Sequence, residues 1–537
     1  MGIKRKKIIA LFFCLTVFSG IFLSCRKNGQ PSWDTQILAP IVSTTLSIND
    51  IVTSSYIKSN PADSLVSLVY TDSLYNLNLD TLLNIPDTVF RYDTVSPLST
   101  TISPGGLMFE SVPNPTYTTY NLGGVELVNG ILQSGYMVYT ITNPLSQPLD
   151  YLYTVPNITK NSNILEIKLT INAGSTITDS IFLGGYHVDF TGPTHNGYNI
   201  IATSIQVNLD PGASALSVTA GDRIVDANIT FKKVIPYYAQ GYFGTSTKYF
   251  GPENVGFPVF SKIISGSLNL QNVNVNLTLT NGFGVDASLK LVKLTSNRLG
   301  DTIYLGDPGV VGSTINVNRA TKTNNPLSPV NPVVMNFALN PSNSNILNWI
   351  DNLPSSVGYA LQVTTDPLGN VSGFNDFVYY GYGISSAINM TVPLSLIATN
   401  LTLADTLAVN FGGTGSQTKQ VKSGKLTIYA SNGFPFSAGL QMYLLNQNNV
   451  VFDSIFIPTQ TIAAGIVNPS TGKVTTAQNS VLTVSLDVMR TQELFNTKNA
   501  ILYAKFNMGS LPSTYVSIYS NYQLGLKLVG NFDYLVN

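Results

Sequence analysis

The chain has 537 residues, of which 28 are basic and 28 are acidic, so its formal net charge is zero. Charged residues make up 10% of it, against about 25% in an average domain, and so sparse a charge argues against a nucleic-acid partner. Disorder is also excluded, because 44% of the residues are apolar and 28 tyrosines and 25 phenylalanines can fill cores.

The N-terminus has the three-part layout of a secretory signal peptide. Residues 4–7 are basic, residues 8–23 form an apolar run, and Cys25 follows Ser24. A membrane-spanning helix needs about 20 mostly apolar residues, and this run is shorter. The sequence "FLSC" resembles the lipobox of bacterial lipoproteins, although Phe22 stands where Leu is usual. The resemblance implies that residues 1–24 are removed and that Cys25 carries lipid; the alternative is an ordinary signal peptide with a coincidental cysteine.

Cleavage before Cys25 has consequences for the chemistry of the mature chain. It removes Cys14 and four basic residues, leaving 24 basic and 28 acidic residues. The one remaining cysteine is used by lipid, so neither a disulfide nor a thiol-ligated zinc site can form.

Alternation of apolar and polar residues is the dominant pattern after the signal peptide. In "NVNVNLTLTNG", Val273 to Leu279 alternate with asparagine and threonine, which indicates a strand with one buried and one exposed face. Helical periodicity is confined to short segments at residues 344–354 and 490–499. We therefore predict an all-β protein of tandem antiparallel β-sandwich-like domains with a few short helices.

Three predicted strands are each followed by the same short sequence pattern, which indicates an internal repeat. Asn143, Asn281 and Asn432 are each followed by Pro or Gly and then by an apolar residue. Asparagine followed by Gly or Pro favours a turn, and the apolar residue after it can close the end of a core. We interpret these segments as structural turns; ligand-binding loops are the alternative. An Asp-Ser/Thr-Ile-Phe/Tyr segment follows each asparagine, at Asp179, Asp301 and Asp453.

The spacing of the three asparagines is that of domains rather than of solenoid repeats. Proline-rich and polar stretches supply the remaining boundaries. The predicted ranges are a lipoprotein signal peptide at 1–24, a lipidated N-terminus and tether at 25–60, an N-terminal β segment at 61–125, and β-domains at 126–235, 236–395 and 396–537.

Few residues suited to acid-base or metal chemistry are present. His187 and His195 are the only histidines, and we predict neither to be a metal ligand, because no Cys or Glu stands at ligand spacing. No nucleophile elbow, phosphate loop or zinc-protease motif occurs. We predict no cofactor and no catalytic residue. A carboxylate pair that meets only in the fold stays an alternative, and the loop from Asp366 to Asp376 is interpreted as a turn rather than a calcium site.

Tyrosines cluster with glycines in two segments, around residues 237–250 and 377–382. Exposed tyrosine rings can stack on sugars or form protein interfaces, whereas buried ones fill cores. We favour packing, and keep glycan or partner contact as the alternative. The candidate contact residues are Tyr237, Tyr238, Tyr242, Tyr249, Tyr379, Tyr380 and Tyr382.

Asp-Ser/Thr followed by an aliphatic residue recurs along the chain. The pattern resembles the O-glycosylation acceptor motif of exported proteins in the Bacteroidota; the alternative is that Asp simply precedes strand starts. The candidate acceptors are Ser64, Ser73, Thr81, Thr88, Thr94, Ser180, Thr302, Thr406 and Ser454.

The lipobox, the early segment "SWDTQILAPIVSTTLSINDIV" and the Asn/Tyr-rich β pattern together resemble uncharacterised outer-membrane lipoproteins of the Bacteroidota. The resemblance implies a lipid-anchored outer-membrane location. Arg26 and Lys27 stand where surface-exported lipoproteins of this phylum carry acidic residues, so we favour a periplasm-facing position. Our hypothesis is a non-enzymatic, tethered multi-domain β scaffold for adhesion or for binding another envelope protein. A surface glycan-binding lipoprotein and an envelope hydrolase are the alternatives.

Overall fold

The computed structural model describes residues 33–79, 83, 85–307, 309–409, 421–446, 448–455, 460–495, 497–508 and 513–536. Antiparallel strands dominate these residues, and the helices are short. The prediction of an all-β protein with sandwich-like sheets and a few short helices is therefore confirmed. The signal peptide, Cys25 and Thr81 lie outside the described residues.

The strands are numbered in chain order. They are β1 (Trp33–Ser47), β2 (Ile57–Ser59), β3 (Val66–Asn78), β4 (Thr88–Val95), β5 (Thr100–Ile102), β6 (Leu107–Glu110), β7 (Thr116–Thr119), β8 (Glu126–Thr142), β9 (Leu149–Lys160), β10 (Asn163–Ile171), β11 (Thr176–Phe182), β12 (His187–Asp189), β13 (Ile200–Leu209), β14 (Leu216–Val218), β15 (Arg223–Tyr242), β16 (Ser246–Gly256), β17 (Ile263–Leu270), β18 (Asn274–Asn281), β19 (Ala287–Arg298), β20 (Asp301–Tyr304), β21 (Thr314–Val317), β22 (Thr321–Lys322), β23 (Val330–Asn331), β24 (Val333–Leu339), β25 (Ser356–Thr365), β26 (Asp376–Tyr379), β27 (Gly383–Pro393), β28 (Ser395–Ala408), β29 (Val421–Asn432), β30 (Phe436–Leu445), β31 (Val451–Ile455), β32 (Thr461–Ile462), β33 (Ile466–Val467), β34 (Val474–Thr476), β35 (Gln478–Leu486), β36 (Asn499–Met508), β37 (Val516–Ser517) and β38 (Gln523–Val536).

Two α-helices are described, and both are short. They are α1 (Ile346–Asp351), which falls within the predicted segment 344–354, and α2 (Val488–Leu494), which begins two residues before the predicted segment 490–499 and overlaps its first half. Asp487 caps α2 by accepting a hydrogen bond from the Arg490 backbone N–H at 2.9 Å. Single-turn 3-10 helices occupy Ile48–Asp50, Ser54–Tyr56 and Pro258–Phe260.

The described residues divide into two compact units, and the smaller one contains those within 1–52, 262–268 and 396–537. It holds a four-stranded sheet of order β1-β38-β29-β35 and a sheet of order β17-β28-β36-β30-β31, to which β32 and β37 add. Phe434 lies on the connection between the two sheets. Its ring contacts those of Phe506 and Tyr522, with centroids at 6.5 and 6.0 Å.

The larger unit contains residues 53–261 and 269–395 and has two cores. One core lies within an eleven-stranded sheet whose main path is β26-β15-β8-β12-β9-β13-β6. The other lies between a sheet of order β16-β25-β19-β20 and a sheet of order β2-β3-β27-β18-β24. Leu277 and Leu289, one from each of these two sheets, line the same cavity of about 20 Å³, so the sheets pack face to face.

Several pairings join segments that the sequence analysis assigned to different ranges. Residues 33–47, assigned to the tether, form β1 and pair along their length with β38 at the other end of the chain. Strand β3 pairs with β27, and β15 runs through the proposed boundary at 235/236. A free sheet edge accepts any extended segment of matching pattern, and sequence does not reveal such distant partners. Independent folding of the proposed domains stays a prediction.

The three asparagines of the repeat share one geometry. Each is fully buried, and its side-chain oxygen accepts the backbone N–H two residues later, at 2.9 Å in all three. Each Nδ2 donates to the carbonyl four residues later, at 2.7–3.0 Å, and to a carbonyl of a distant segment. These distant acceptors are Ile171 and Asn172 for Asn143, Asn318 for Asn281, and Ala463 for Asn432.

Two of these asparagine corners stand where the chain leaves one sheet for the next, whereas Asn143 lies between β8 and β9 of the same eleven-stranded sheet. Asn281 ends β18, and β19 begins in the facing sheet; Asn432 ends β29, and β30 begins in the other sheet of its unit. The apolar residue two positions later is 0% exposed at Phe283 and 1% exposed at Phe434, and it closes the core. The corners are thus structural turns, because all their polar groups are used internally.

Substitution of Asn281 by alanine should destabilise the larger unit. It leaves the Phe283 N–H and the Val285 and Asn318 carbonyls without a partner, and each unsatisfied buried group costs about 1–3 kcal/mol. Asn274→Ala, at an exposed position of the same strand, is the matched control. Thermal unfolding should show a clearly lower Tm for Asn281→Ala alone. Equal melting of the two variants would mean that the corner bonds are dispensable.

Candidate functional site

The two tyrosine-rich segments meet in the fold. Strand β26 pairs with the end of β15, so that Tyr379 lies opposite Tyr238 and Phe377 opposite Gln240. The Tyr380 backbone N–H extends the pairing by donating to the Tyr237 carbonyl at 2.8 Å. Antiparallel register therefore brings together tyrosines that are more than a hundred positions apart in the chain.

Most of these rings pack on one another. The Tyr379 ring centroid lies 5.6 Å from that of Tyr237, 4.8 Å from that of Tyr238 and 6.0 Å from that of Phe377. Tyr238 is 7% exposed and belongs to a small core, and Tyr237, Tyr379 and Tyr382 pack against that core. Such tilted and edge-on arrangements are the favoured geometry of aromatic packing.

A lysine is built into this aromatic cluster. Lys322 Nζ lies 4.8 Å from the Tyr238 ring centroid and 4.9 Å from that of Phe377, which is cation–π geometry. It also donates to the Tyr238 hydroxyl at 2.5 Å, and that hydroxyl donates to Gln240 Oε1 at 2.5 Å. Partial burial lowers the pKa of Lys322.

The remaining candidate tyrosines lie apart from the cluster core. The Tyr242 hydroxyl accepts the Thr245 backbone N–H at 3.1 Å. Tyr249 is 72% exposed on β16, and Tyr380 is 47% exposed just beyond β26. Of the seven candidate tyrosines, these last two present the most ring surface to solvent.

Next to the tyrosines, three aspartates gather around one arginine. Arg319 donates through Nε and Nη2 to the Asp286 carboxylate and through Nη1 to Asp376. Asp376 begins β26 and is fully buried. Asp366, at the other end of the same loop, is 2% exposed and interacts with Asp376. The sequence pattern of this loop predicts only a turn, and the approach of its two ends to Arg319 is evident from the fold alone.

The Asn281 corner positions this charged group. Asn281 Nδ2 donates hydrogen bonds to the carbonyls of Val285 and Asn318. Asp286 directly follows Val285, and Arg319 directly follows Asn318. Gly284 exchanges backbone hydrogen bonds with Phe377, which directly follows Asp376. A side chain at Gly284 would clash with the Phe377 ring, at 2.2 Å, so glycine is required for this approach.

The buried carboxyl pair holds a proton at neutral pH. Burial, together with the negative charge of Asp376, raises the pKa of Asp366 to about 8. Burial also raises the pKa of Asp376, and Arg319 opposes that shift. Asp366 is therefore the neutral member of the pair.

The geometry limits what this group can do chemically. Arg319 lies between Asp286 and Asp376, in the position that a bound cation would take. Among the residues that the structure describes, no group of three or more His, Cys, Asp or Glu is arranged to hold a metal ion. Asp366 and Asp376 are also closed off from solvent, so a substrate cannot reach them in this conformation.

The two histidines lie outside the carboxylate cluster. His187 is exposed on β12. His195 Nδ1 lies 3.3 Å from the Thr191 hydroxyl and 3.7 Å from Asp189 Oδ2, with the side chain 79% exposed. His195 therefore lies in a turn at the surface.

Sequence reasoning did not single out Asp286, Arg319 or Lys322. One signal was available: five positions after the corner asparagine, the second copy has Asp286, whereas the others have Pro148 and Ser437. A charged residue just past a buried corner needs a partner, and only the fold identifies it as Arg319.

The candidate glycosylation positions differ in exposure. Ser73, Ser180, Thr302 and Thr406 are exposed, and Ser64, Thr88 and Ser454 are half-buried. Thr94 is 6% exposed, so modification there would have to precede folding of its strand. At Asp72, Asp179 and Asp453 the carboxylate accepts the N–H of the next serine at 2.7–2.8 Å, which is a local structural role for the motif.

Comparison with known proteins assigns no family. No protein-family model and no curated protein matches the chain. A Parabacteroides distasonis protein proposed to be secreted has a TM-score of 0.31 and 9% identity, over 92% of this chain and 99% of its own. Sulfolobus Turreted Icosahedral Virus gives a TM-score of 0.11 and 12% identity, over 85% and 93%, respectively. These values are too low to carry an argument. Within the described ranges, no helix has the length and apolar character to span a membrane.

Protonation of Asp366 should make stability depend on pH. An unfolded aspartate titrates near pH 3.8 and the folded group near 8, so between these values the folded state binds more protons. Stability should therefore fall as pH rises from about 4 to about 8, by up to about 1.4 kcal/mol per pH unit. Asp366→Asn, which stays neutral, should remove this contribution. Urea unfolding at several pH values measures it, with exposed Asp301→Asn as control; equal slopes for wild type and Asp366→Asn would contradict the assignment.

Proposed function

We propose that this protein is a non-enzymatic cell-envelope lipoprotein, a tethered multi-domain β scaffold that acts in adhesion or in binding another envelope protein. The lipobox at Cys25 and the resemblance to Bacteroidota lipoproteins support a lipid anchor in the outer membrane. The basic residues after Cys25 support a periplasm-facing position. The membrane is thus one partner, reached through the N-terminal lipid.

The burial of the carboxyl pair carries the non-enzymatic assignment. A glycosidase needs its two carboxyl groups exposed to substrate and separated by at least about 5 Å across the reacting bond. Asp366 and Asp376 interact directly, are 2% and 0% exposed, and face Arg319. Their arrangement serves to join β26 to the Asn281 corner, which is a structural task.

An exposed aromatic pair supports a binding role for the surface. Tyr136 on β8 and Phe182 on β11 lie opposite each other in register and are 46% and 50% exposed. Their ring centroids are 5.5 Å apart. Rigid aromatic side chains of this kind are enriched in protein interfaces because they bury much area at little entropic cost.

Glycan binding is the second candidate function, and the exposure of Tyr249 and Tyr380 favours it. The rings of the tyrosine cluster do not favour glycan binding, because the Tyr379 ring packs against those of Tyr237 and Tyr238. Of the seven candidate tyrosines, Tyr249 and Tyr380 are therefore the two that a sugar platform would use.

The lipid anchor is tested by Cys25→Ser. Each buried methylene of an acyl chain adds about 0.8 kcal/mol, so two or three chains hold the protein firmly. The variant should leave the membrane fraction and appear in soluble fractions, as followed by immunoblotting. A Ser24→Ala variant, which keeps a small residue before the cysteine, should stay with the membrane. Retention of Cys25→Ser in detergent-free washes would refute the anchor.

The scaffold hypothesis and the glycan-binding hypothesis predict different effects of tyrosine substitutions on stability and on glycan binding. Tyr238→Ala removes a buried ring and should cost about 3–5 kcal/mol, whereas Tyr249→Ala, the matched exposed control, should change stability by less than about 0.5 kcal/mol. The intact protein should give no hits on a glycan array. If the protein does bind the array, and the double variant Tyr249→Ala with Tyr380→Ala loses that binding at an unchanged Tm, then glycan binding is the function instead.

A further inference from the structure

Two of the three asparagine corners contain the sequence Asn-Gly, a pair in which asparagine loses its side-chain amide comparatively readily. The pairs are Asn281-Gly282 and Asn432-Gly433. The backbone nitrogen of the glycine can attack the asparagine amide, because glycine has no side chain that stands in the way. The corner asparagines are therefore chemically labile residues as well as structural ones.

The fold requires the glycine of each pair. A β-carbon at Gly282 would lie 3.0 Å from the Gly383 carbonyl oxygen, and one at Gly433 would lie 3.1 Å from the Gln523 carbonyl oxygen. Both distances are shorter than ordinary van der Waals contact. The neighbouring strand thus leaves no room for a side chain, and each corner retains its labile pair for a steric reason.

The folded corner blocks the reaction at both reacting groups. The glycine N–H is engaged, because Gly282 donates to the Gly383 carbonyl at 2.7 Å and Gly433 donates to the Gln523 carbonyl at 2.8 Å. The asparagine amide is engaged as well, since it donates two hydrogen bonds and accepts one in each of the two corners. Both asparagines are also 0% exposed. Attack on the amide therefore requires the corner to open.

The product of the reaction lacks the donors that the corner needs. An ionised aspartate only accepts hydrogen bonds, so at position 281 it would leave the carbonyls of Val285 and Asn318 without a donor. It would also bury a negative charge beside these two oxygens. Isoaspartate, the second product, carries the backbone through its side chain, and the added methylene displaces the following glycine from its carbonyl partner. At position 432 the carbonyls that lose their donor are those of Phe436 and Ala463.

We propose that Asn281 and Asn432 are modification sites that are unreactive in the folded protein and are deamidated by water while their unit is unfolded, after which that unit no longer refolds. The two sites act on different units, Asn281 on the larger and Asn432 on the smaller. An unfolding event that lasts long enough is thus made irreversible by a covalent change. The inference is independent of the proposed scaffold function.

The reaction needs only the chain and water. The glycine nitrogen loses its proton and bonds to asparagine Cγ, while the Cγ–Nδ2 bond breaks and ammonia leaves. Water then opens the resulting cyclic imide at either carbonyl, which gives aspartate or isoaspartate. Asn143 provides an internal control, because Pro144 follows it and carries no N–H that could be released.

Peptide mapping by mass spectrometry measures conversion in the full mature chain. One sample is kept in mildly alkaline buffer, and a second is kept in the same buffer with enough guanidinium chloride to unfold it. Conversion at Asn281 and Asn432 should be at least about a hundredfold slower in the folded sample, because the corners open only when the structure around them does. In the unfolded sample Asn196, which is also followed by glycine, should convert at a similar rate, whereas Asn143 should stay intact.

Variants that carry the product separate the chemistry from its effect on folding. Asn281→Asp should lower the Tm or prevent folding, whereas Asn274→Asp, at an exposed position of the same strand, should leave the Tm unchanged. Wild-type chain aged in denaturant at mildly alkaline pH should lose refolding yield in step with conversion. Chain aged in denaturant at mildly acidic pH, where the glycine nitrogen keeps its proton, should refold fully.

Three results would overturn the proposal. Equal conversion rates of Asn281 in the folded and unfolded samples would mean that the corner gives no protection. Conversion of Asn143 as fast as that of Asn281 would exclude the cyclic imide route. Normal melting of Asn281→Asp, or full refolding of chains converted at Asn281 and Asn432, would show that the product does not prevent folding.

Discussion

The corners at Asn281 and Asn432 solve the same physical problem. A chain that leaves one sheet for the facing sheet has to break its ladder of backbone hydrogen bonds inside the core, where unpaired N–H and carbonyl groups are costly. Each of these two side chains replaces the missing bonds with three of its own, and Asn143 makes four where the chain turns within one sheet. An amide side chain suits this task because it is both donor and acceptor and carries no charge.

The second corner supports more than a turn. By holding the segments that carry Asp286 and Arg319, it assembles an ion pair to which Asp376 adds a second carboxylate. A third carboxyl, Asp366, can be accommodated only as a neutral group. Burial and like-charge repulsion thus favour the neutral form of Asp366, and Arg319 links the segments that carry Asp286 and Asp376.

Aromatic residues have two different uses in the larger unit. Around Tyr379 the rings pack on one another, and Lys322 lies over the rings of Tyr238 and Phe377. There the Tyr238 hydroxyl donates to Gln240 Oε1. Around Tyr120 the rings are also packed, but the Tyr120 hydroxyl is buried without a hydrogen-bond partner.

The sequence by itself determined the all-β class, the positions of the two short helices and the three corner asparagines, because alternation and turn chemistry are local properties. It also favoured packing for the tyrosines of the two rich segments, where the rings of Tyr237, Tyr238 and Tyr379 lie against one another. Only the tertiary structure decided that β1 pairs with β38, that Asp286, Arg319 and Asp376 meet, and that the Tyr120 hydroxyl is left unpaired. These contacts join residues far apart in the chain, and their energies depend on burial and partner geometry, which no local pattern contains.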